Sequence, residues 1–351
     1  MRASHFAAAL VGAFAAPGLA WNTDIHQQIG FAAEKFLSPA AKAILSEILE
    51  PESGASLGRI GAWADAHRGT PEGRHTTTWH WINPADQPPG AWADAHRGTP
   101  EGRHTTTWHW INPADQPPSF CNVHYNRDCT SGGCIVSALA NETQILKSCI
   151  RSVKDGKLVG GANATCANAA KFITHFIMDI AQPMHVTGIA RGGNDIPVVF
   201  GGVTTNLHAI WDGRIVYSLA GNVTGFPNTT IQPFFSDMVD RIRADTYFVP
   251  TRDWLSCTDP STPLACPLEW ARDANQWNCD YAFSQNTNAS DLRTSGYAEG
   301  AWPIAELQIA KAVLRIATWF NKLADCNFKD REVILDPWPM KAWLGGPNAG
   351  N

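Results

Sequence analysis

Apolar residues recur every three or four positions through most of this chain, and that spacing restricts the possible folds more than any other feature of the sequence. It is typical of helices that bury one face against a core. The spacing predicts helices over residues 24–37, 39–49, 56 to about 67, 135–152, 164–180, 207–219 and 304–324. Strand character is confined to residues 196–200. We therefore expect a mainly α fold, a single multi-helical domain with a short β-hairpin.

Two identical copies of a 29-residue segment interrupt the helical pattern. Residues 61–89 read GAWADAHRGTPEGRHTTTWHWINPADQPP, and residues 90–118 repeat them without a mismatch. Repeats that build solenoids number three or more and diverge in sequence. The pair is therefore interpreted as a recent tandem duplication or as an error in gene assembly, and the second interpretation is favoured. Every residue of one copy has a twin 29 positions away.

The first twenty residues predict a signal peptide. Arg2 precedes an apolar run over residues 6–16, and Gly-Leu-Ala at 18–20 has the small residues of a cleavage site. Retention of this segment as a membrane anchor is the alternative, but the run is too short to span a bilayer. We expect a mature domain over residues 21–335 and a Trp- and Gly-rich tail over residues 336–351.

Cysteines and glycosylation motifs agree with export. The chain has nine cysteines, and the cysteines of exported proteins are mostly paired. The close spacings of Cys129 with Cys134 and of Cys257 with Cys266 indicate disulfides within loops. Acceptor motifs for N-glycosylation occur at Asn141, Asn163, Asn222, Asn228 and Asn288. We expect a secreted, extracellular, monomeric protein that does not associate with membranes.

The charge balance excludes a basic stripe of the kind that duplex-DNA binders use. The net charge is −5, and only 17% of residues are charged. A polyanionic substrate would need positive charge from another source, and bound metal ions supply such charge locally. For binding such a substrate, histidine and aspartate, which can hold metal ions, are therefore more informative here than lysine or arginine.

Two His/Asp pairs with the same spacing indicate a metal centre. His175 and Asp179 lie four apart on a predicted helix, and His208 and Asp212 repeat the arrangement, with His185 between the pairs. Residues four apart project from one helix face. A single pair is typical of an ordinary surface contact, but two pairs together favour Zn²⁺, which accepts imidazole and carboxylate ligands.

Further candidate ligands lie near the amino terminus and in the repeat. The motif WAD supplies Asp65 or its twin Asp94, and WHW supplies His80 or its twin His109. Signal cleavage would free the α-amine of Trp21, which is a zinc donor in its neutral form. His26 follows five residues later in the first predicted helix, although a lone histidine there is also typical of polar surface.

These motifs together resemble the zinc-dependent single-strand-specific nucleases and 3′-nucleotidases of fungi and plants, the nuclease S-one and P-one type. The matching stretches are Trp21 with His26, WAD, WHWINP, CNVHYNRDC followed by GGC, HFIMDIAQPMH, GGN, NLHAIWD, WARDAN and ELQIAKAVLRIA. The resemblance implies the multi-helical fold of the phospholipase C and single-strand nuclease type. It also implies three zinc ions per chain and substrates that are single-stranded DNA, RNA and 3′-mononucleotides, cleaved to 5′-phosphate products.

The resemblance also assigns the ligands. Asp65, His80, His175 and Asp179 would hold one ion; Trp21, His26 and Asp179 would hold its neighbour; His185, His208 and Asp212 would hold the third. Two close zinc ions lower the pKa of a bridging water enough for it to attack phosphorus near neutral pH.

Residues around the implied ions receive roles as well. Arg68, with Asp65, is the expected catalytic group, since it would clamp the phosphoryl oxygens; the alternative is an ordinary exposed arginine. Trp81 would stack a nucleobase and Asn83 would contact its edge. Core packing is the alternative for Trp81, and the family more often has Phe-Ile-Asp at these positions.

The family pairing implies disulfides between Cys121 and Cys279 and between Cys129 and Cys134. We add Cys149 with Cys166, which would leave Cys326 unpaired.

The repeat leaves open which copy supplies the ligands. Asp65 continues a predicted helix, whereas Asp94 follows Pro-Pro-Gly, which breaks helices, so Asp65 is preferred. His80 is the ligand in our assignment. His109 joins directly to the Cys121 segment, however, and a hybrid of the two copies would preserve every local sequence.

Two other functions compete with the nuclease. A zinc-dependent phospholipase C shares the amino-terminal tryptophan and the three-metal site. A catalytically impaired secreted zinc glycoprotein, in which the extra copy has ruined the site, belongs to a different class.

Overall fold

The computed structural model describes residues 21–64, 109–129, 133–161, 163–221 and 231–325. The predicted signal peptide, the tail and Cys326 lie outside these ranges. Thirteen α-helices are described: α1 Thr23–Glu34, α2 Pro39–Ile48, α3 Leu57–Gly61, α4 Tyr125–Asp128, α5 Ile135–Lys154, α6 Ala164–Asp179, α7 Ala190–Gly193, α8 Leu207–Ala209, α9 Ile215–Leu219, α10 Ile231–Arg243, α11 Thr251–Trp254, α12 Ala265–Trp277 and α13 Tyr297–Asp325. Short 3-10 turns occupy Pro51–Ser53 and Pro183–Val186, and π-helical turns occupy Ile210–Arg214 and Asn278–Ala282.

Helix α6 is the centre of the fold. Asn163 is its N-cap, and the side-chain oxygen of Asn163 accepts a hydrogen bond from Cys166 N at 3.2 Å. Nearly all of its residues are buried, including Thr174, His175 and Asp179. Helices α1, α2, α3, α5 and α13 all pack on it. A helix covered on every side places its polar residues in the core, where each needs a partner.

A two-stranded antiparallel hairpin leads into the second His/Asp pair. Strand β1 (Pro197–Phe200) pairs with β2 (Val203–Asn206), so Phe200 faces Val203. The turn between them uses Gly201 and Gly202 with positive φ. At the end of β2, Asn206 caps α8 by accepting a hydrogen bond from Ala209 N at 2.8 Å, and this cap starts the helical turn that carries His208.

The predicted fold class, mainly α with a short hairpin, is confirmed, but some boundaries differ. The helix expected over residues 207–219 contains a π-helical turn in its middle. Helix α13 begins at Tyr297 rather than at 304, because Pro303 lies inside it without ending it. The prediction missed α10 and α12 altogether. In α10 the buried positions 231, 235, 238, 239 and 242 follow helical spacing, so the signal was present in the sequence.

Four disulfides join the described segments. They link Cys121 with Cys279, Cys129 with Cys134, Cys149 with Cys166 and Cys257 with Cys266. All four pairings expected from the sequence are therefore confirmed. No helix within the described ranges is long and apolar enough to cross a membrane.

A buried ion cluster ties α12 to α13. Asp273 accepts hydrogen bonds from Lys311 Nζ at 2.7 Å and from Arg315 Nη2 at 2.9 Å, and both cations are at most 8% exposed. Burial by itself raises the pKa of Asp273, but the two cations outweigh burial and lower it. The carboxylate is therefore ionised, and it compensates two positive charges in the core.

Replacing Asp273 with asparagine should destabilise the fold by about 3 kcal/mol, because it leaves two buried cations without a counter-ion. Urea unfolding with the disulfides intact measures this change. Because the pKa of Asp273 is lowered by folding, its contribution is present above the unfolded pKa and disappears as the pH falls through the folded value. The exposed pair of Arg252 with Asp253 offers a control. Asp253→Asn should cost less than about 1 kcal/mol, and equal effects of the two substitutions would contradict this role of Asp273.

Candidate metal centre

The carboxylate of Asp179 gathers three imidazoles from distant parts of the chain. Its Oδ1 lies 3.1 Å from Nε2 of His26 on α1. Its Oδ2 lies 3.0 Å from Nε2 of His175, one turn earlier on α6, and 3.0 Å from Nδ1 of His109. All four side chains are fully buried. We call these four residues the Asp179 cluster.

A second cluster forms beyond the end of α6. His185 lies in the turn Pro183–Val186, His208 lies on α8, and Asp212 lies in the following π-helical turn. His208 Nε2 is 3.3 Å from Asp212 Oδ2, and the rings of His185 and His208 are 5.1 Å apart. We call these three residues the His185 cluster.

The chain segment that begins at Trp21 contacts both clusters. The indole Nε1 of Trp21 donates to the carbonyl of Met178, next to Asp179, at 3.0 Å. The backbone N–H of Asn22 donates to the carbonyl of Asp212 at 2.8 Å. Trp21 itself is fully buried. The amino end of the predicted mature chain is thus fixed against the candidate centre.

Three of the histidines are oriented in the same way. A backbone carbonyl can only accept a hydrogen bond, so a ring nitrogen that faces one must carry the proton. The Nδ1 atoms of His175, His185 and His208 donate to the carbonyls of Gly61, His109 and Gly192 at 3.0, 2.9 and 2.7 Å. Each Nε2 therefore directs a lone pair into its cluster, which is the usual arrangement of metal-binding histidines.

The pKa values agree with neutral, metal-binding imidazoles. Burial, together with neighbouring His185, lowers the pKa of His208 to about 3. Burial likewise lowers the pKa of His185. His208 Nε2 and Asp212 Oδ2 lie close enough to bind one metal ion together with His185. Within the described residues, His185 Nε2 is buried without a hydrogen-bond partner, and a metal ion would satisfy it.

Asp179, unlike these histidines, is held in its charged form. Burial raises its pKa, but the surrounding histidines, His175 above all, outweigh burial and lower the pKa well below its usual value. Two groups of side chains could therefore hold a metal ion. These are His26 with His175 and Asp179, and His185 with His208 and Asp212, and in each group the ligand atoms lie within 4.8 Å of one another.

Comparison with known proteins decides the family. The S1/P1 Nuclease family profile matches residues 21–90 and 87–325. The chain belongs to the S1/P1 nuclease family. It is 31% identical to Nuclease P1 of Penicillium citrinum over 306 residues, covering 86% of this chain and 97% of the relative. It is 29% identical to Nuclease S1 of Aspergillus oryzae over 307 residues, covering 87% and 92%. It is also 28% identical to Endonuclease 3 of Arabidopsis thaliana over 312 residues, covering 89% and 91%.

This membership confirms the predicted family and the predicted enzyme class, a hydrolase that acts on phosphodiester bonds. The boundary between the two matched segments of the S1/P1 nuclease profile, at residues 87–90, coincides with the junction of the two repeat copies.

The described residues include parts of both copies. Gly61 to Ala64 belong to the first copy, and His109 to Pro118 belong to the second. Our assignment placed His80 beside Asp179, whereas the structure brings its twin His109 there. The reason is tethering, because His109 lies twelve residues before Cys121, which is bonded to Cys279. The other residues that the sequence nominated, Asp65, Arg68, His80, Trp81, Asn83 and Asp94, lie outside the described residues.

The second copy brings two residues into place that the sequence analysis did not nominate. Burial alternates along this segment, since His109 and Ile111 are buried while Trp110 is half-buried and Asn112 is exposed. Trp110 and Asn112 therefore share the accessible side. They are the twins of Trp81 and Asn83. Because the two copies are identical, the sequence analysis could have named Trp110 and Asn112 as alternatives, but it could not choose between the twins.

Buried amides position the His185 cluster. Asn275 Nδ2 donates both to Asp115 Oδ2 and to the carbonyl of Val186, at 2.8 Å each. Asn278 Nδ2 donates to the carbonyl of Pro183 at 2.9 Å. These bonds hold the turn that carries His185. Gln182 acts on Asp212 in the same way, since its Nε2 donates to Asp212 Oδ1 at 2.6 Å.

Replacing Gln182 with leucine should weaken metal binding by roughly 10- to 100-fold, because Asp212 loses the donor that fixes its orientation. Competition with a zinc chelator measures this affinity. Gln276→Leu is the matched control, since Gln276 donates to the exposed Asp280 and should leave zinc affinity unchanged. Equal affinities of the Gln182 variant and the parent would show that Asp212 is positioned by other contacts.

Replacing His109 with alanine should reduce phosphodiester hydrolysis by more than the roughly 10- to 100-fold cost of losing an outer-shell partner. His80→Ala should retain the parent activity. The measurement is initial rate on single-stranded DNA for both variants. The reverse ranking would assign the first copy to the site. Activity in both single variants but not in the double variant would show that the chain changes register.

Proposed function

We propose that this protein is a secreted zinc-dependent endonuclease that cleaves single-stranded DNA and RNA to 5′-phosphate products and also acts as a 3′-nucleotidase. The contact that carries the proposal is the buried Asp179 carboxylate, which has an imidazole on Oδ1 and two more on Oδ2. A carboxylate whose two oxygens face separate ligand sets is suited to bridge two ions.

Three zinc ions complete the proposal. Asp65, His109, His175 and Asp179 would bind one ion, with His109 in the place first given to His80. His26, Asp179 and the amine and carbonyl of Trp21 would bind its neighbour, and His185, His208 and Asp212 would bind the third. The contacts of the Trp21 and Asn22 segment support the second set. Zinc, when bound, would supply a water of lowered pKa and positive charge for the phosphate.

The residues of the chain supply geometry and selectivity. His175, His185 and His208 are oriented before any ion binds, because backbone carbonyls hold their Nδ1 protons. Trp110 and Asn112 lie on the accessible side of the segment that carries His109. A nucleobase stacked on Trp110 must be outside a duplex, which supports a preference for single strands. Arg68 remains the proposed clamp for the phosphoryl oxygens.

Export is the remaining part of the proposal. Four disulfides among the described segments are typical of an oxidising compartment. Cleavage after residue 20 would also create the amine that the second zinc site needs.

The proposal is tested on protein secreted from a host that cleaves the signal peptide. We expect three zinc ions per chain by elemental analysis and release of 5′-phosphorylated products from single-stranded DNA. Duplex DNA should be cleaved more slowly. Asp179→Asn should lower the rate by roughly 10²- to 10³-fold or more, whereas the exposed Asp240→Asn should not.

Two results would replace the proposal. Preferential hydrolysis of phosphatidylcholine micelles over single-stranded DNA would identify a phospholipase C. A chain with three zinc ions that cleaves neither nucleic acid nor 3′-AMP would be an impaired zinc glycoprotein. Deleting residues 90–118 tests whether the extra copy causes such a loss of activity. Activity only in the shortened form would show that the extra copy blocks the site.

A further inference from the structure

A basic pocket lies at the carboxyl end of α1. Its volume is about 510 Å³, and Lys35, Lys42 and Arg243 line it together with Glu34 and the loop over residues 54–56. Glu34 follows His26 by eight residues on the same helix, which is ~12 Å along the axis at 1.5 Å per residue. The pocket is therefore separate from the Asp179 cluster, and helix α1 connects the two.

The cations of the pocket are available to a ligand. Lys35 and Lys42 are exposed, and among the described residues neither ammonium group has an ion-pair or hydrogen-bond partner. Arg243 makes one long ion pair with Asp240, 3.4 Å apart, in which both side chains are more than half exposed. Such pairs exchange readily with solvent and with other anions.

The single acid of the pocket is already engaged. Glu34 Oε1 accepts hydrogen bonds from Ser56 Oγ at 2.6 Å and from the backbone N–H of Gly58 at 3.0 Å. These bonds hold α3 against α1. Three lining cations exceed the committed Glu34 and the Asp240 that pairs with Arg243, so the pocket stays positive on a chain whose net charge is −5. A local positive site on an acidic protein favours an anionic ligand.

An exposed aromatic ring lies beside the pocket. Phe31 is 37% exposed, and it precedes Glu34 by three residues and Lys35 by four, so all three share one face of α1. The ring rests on Gly58, where a methyl group would come within 2.2 Å of Phe31 Cδ1. Glycine at position 58 therefore allows α3 to pack directly against the Phe31 ring.

We propose that the basic pocket and Phe31 bind the nucleic-acid strand at a distance from the bond that is cut. Phosphates would contact Lys35, Lys42 and Arg243, and a base would stack on Phe31. A cationic groove beside an aromatic ring is the common means of binding single strands without sequence preference. The inference rests on the proposed nuclease function, and it predicts that long substrates bind better than short ones.

The experiment compares Lys35→Gln/Lys42→Gln with the matched double variant Lys154→Gln/Lys157→Gln, whose lysines are exposed on and after α5. The substrates are a 20-nucleotide oligothymidylate and the dinucleotide d(TpT). The pocket variant should lose about tenfold in kcat/KM on the 20-mer through KM and should be unchanged on d(TpT). The matched variant should be unchanged on both.

Binding is measured separately with a labelled phosphorothioate 20-mer. The plot of log Kd against log salt should flatten by about 1.4 in the pocket variant, at roughly 0.7 per released phosphate contact on single strands. Phe31→Ala should weaken this binding, whereas Phe248→Ala, which removes a fully exposed ring, should not.

Unchanged binding and unchanged 20-mer kinetics in the pocket variant would overturn the inference, while hydrolysis of d(TpT) by the parent would keep the nuclease function intact. If the parent protein hydrolyses neither substrate, the proposed nuclease function is wrong. Binding of the phosphorothioate 20-mer then still tests whether the pocket binds a nucleic-acid strand. If the pocket variant loses only binding of free 5′-dTMP, the pocket serves mononucleotides and the strand assignment is wrong.

Discussion

One buried carboxylate organises this molecule. Asp179 is fully enclosed at the end of α6, where an isolated charge would be very costly without partners. Its partners lie 153, 70 and 4 residues away in sequence, on α1, on the second repeat copy and on α6 itself. Satisfying this single group therefore requires three separate segments to meet. The candidate metal centre is therefore part of the core of the fold.

The layer around the centre explains why its geometry is fixed before any ion binds. Asn275 and Asn278 hold the turn that carries His185, and Gln182 holds Asp212. The disulfide between Cys121 and Cys279 joins the repeat segment to the end of α12. The motif WARDAN, which has no candidate ligand of its own, thus serves the site through the amide of Asn275. Helix α12 acts as a scaffold for ligands that lie elsewhere.

The sequence predicted the features that depend on local helical spacing, but not those that depend on contacts between remote residues. The pairs His175 with Asp179 and His208 with Asp212 followed from helical periodicity, and the structure brings each pair together. The choice between His80 and His109 did not follow, because identical segments have identical local preferences. It depends on the tether to Cys121, a contact between remote residues. Trp110 and Asn112 escaped the sequence analysis for the same reason.

The entropy of loop closure explains why the duplication is compatible with an assembled centre. The extra copy lengthens the chain between Ala64 and the imidazole beside Asp179 from 15 residues to 44. Closure entropy grows only logarithmically with length, so this costs about 1 kcal/mol. Losing one partner of a buried charge costs about 3 to 5 kcal/mol. Keeping the partners of Asp179 therefore outweighs the cost of the longer chain connection. This balance favours an arrangement in which the start of the first copy stays packed on α6 and the end of the second copy stays beside Cys121. The combination of Gly61 with His109 satisfies both conditions.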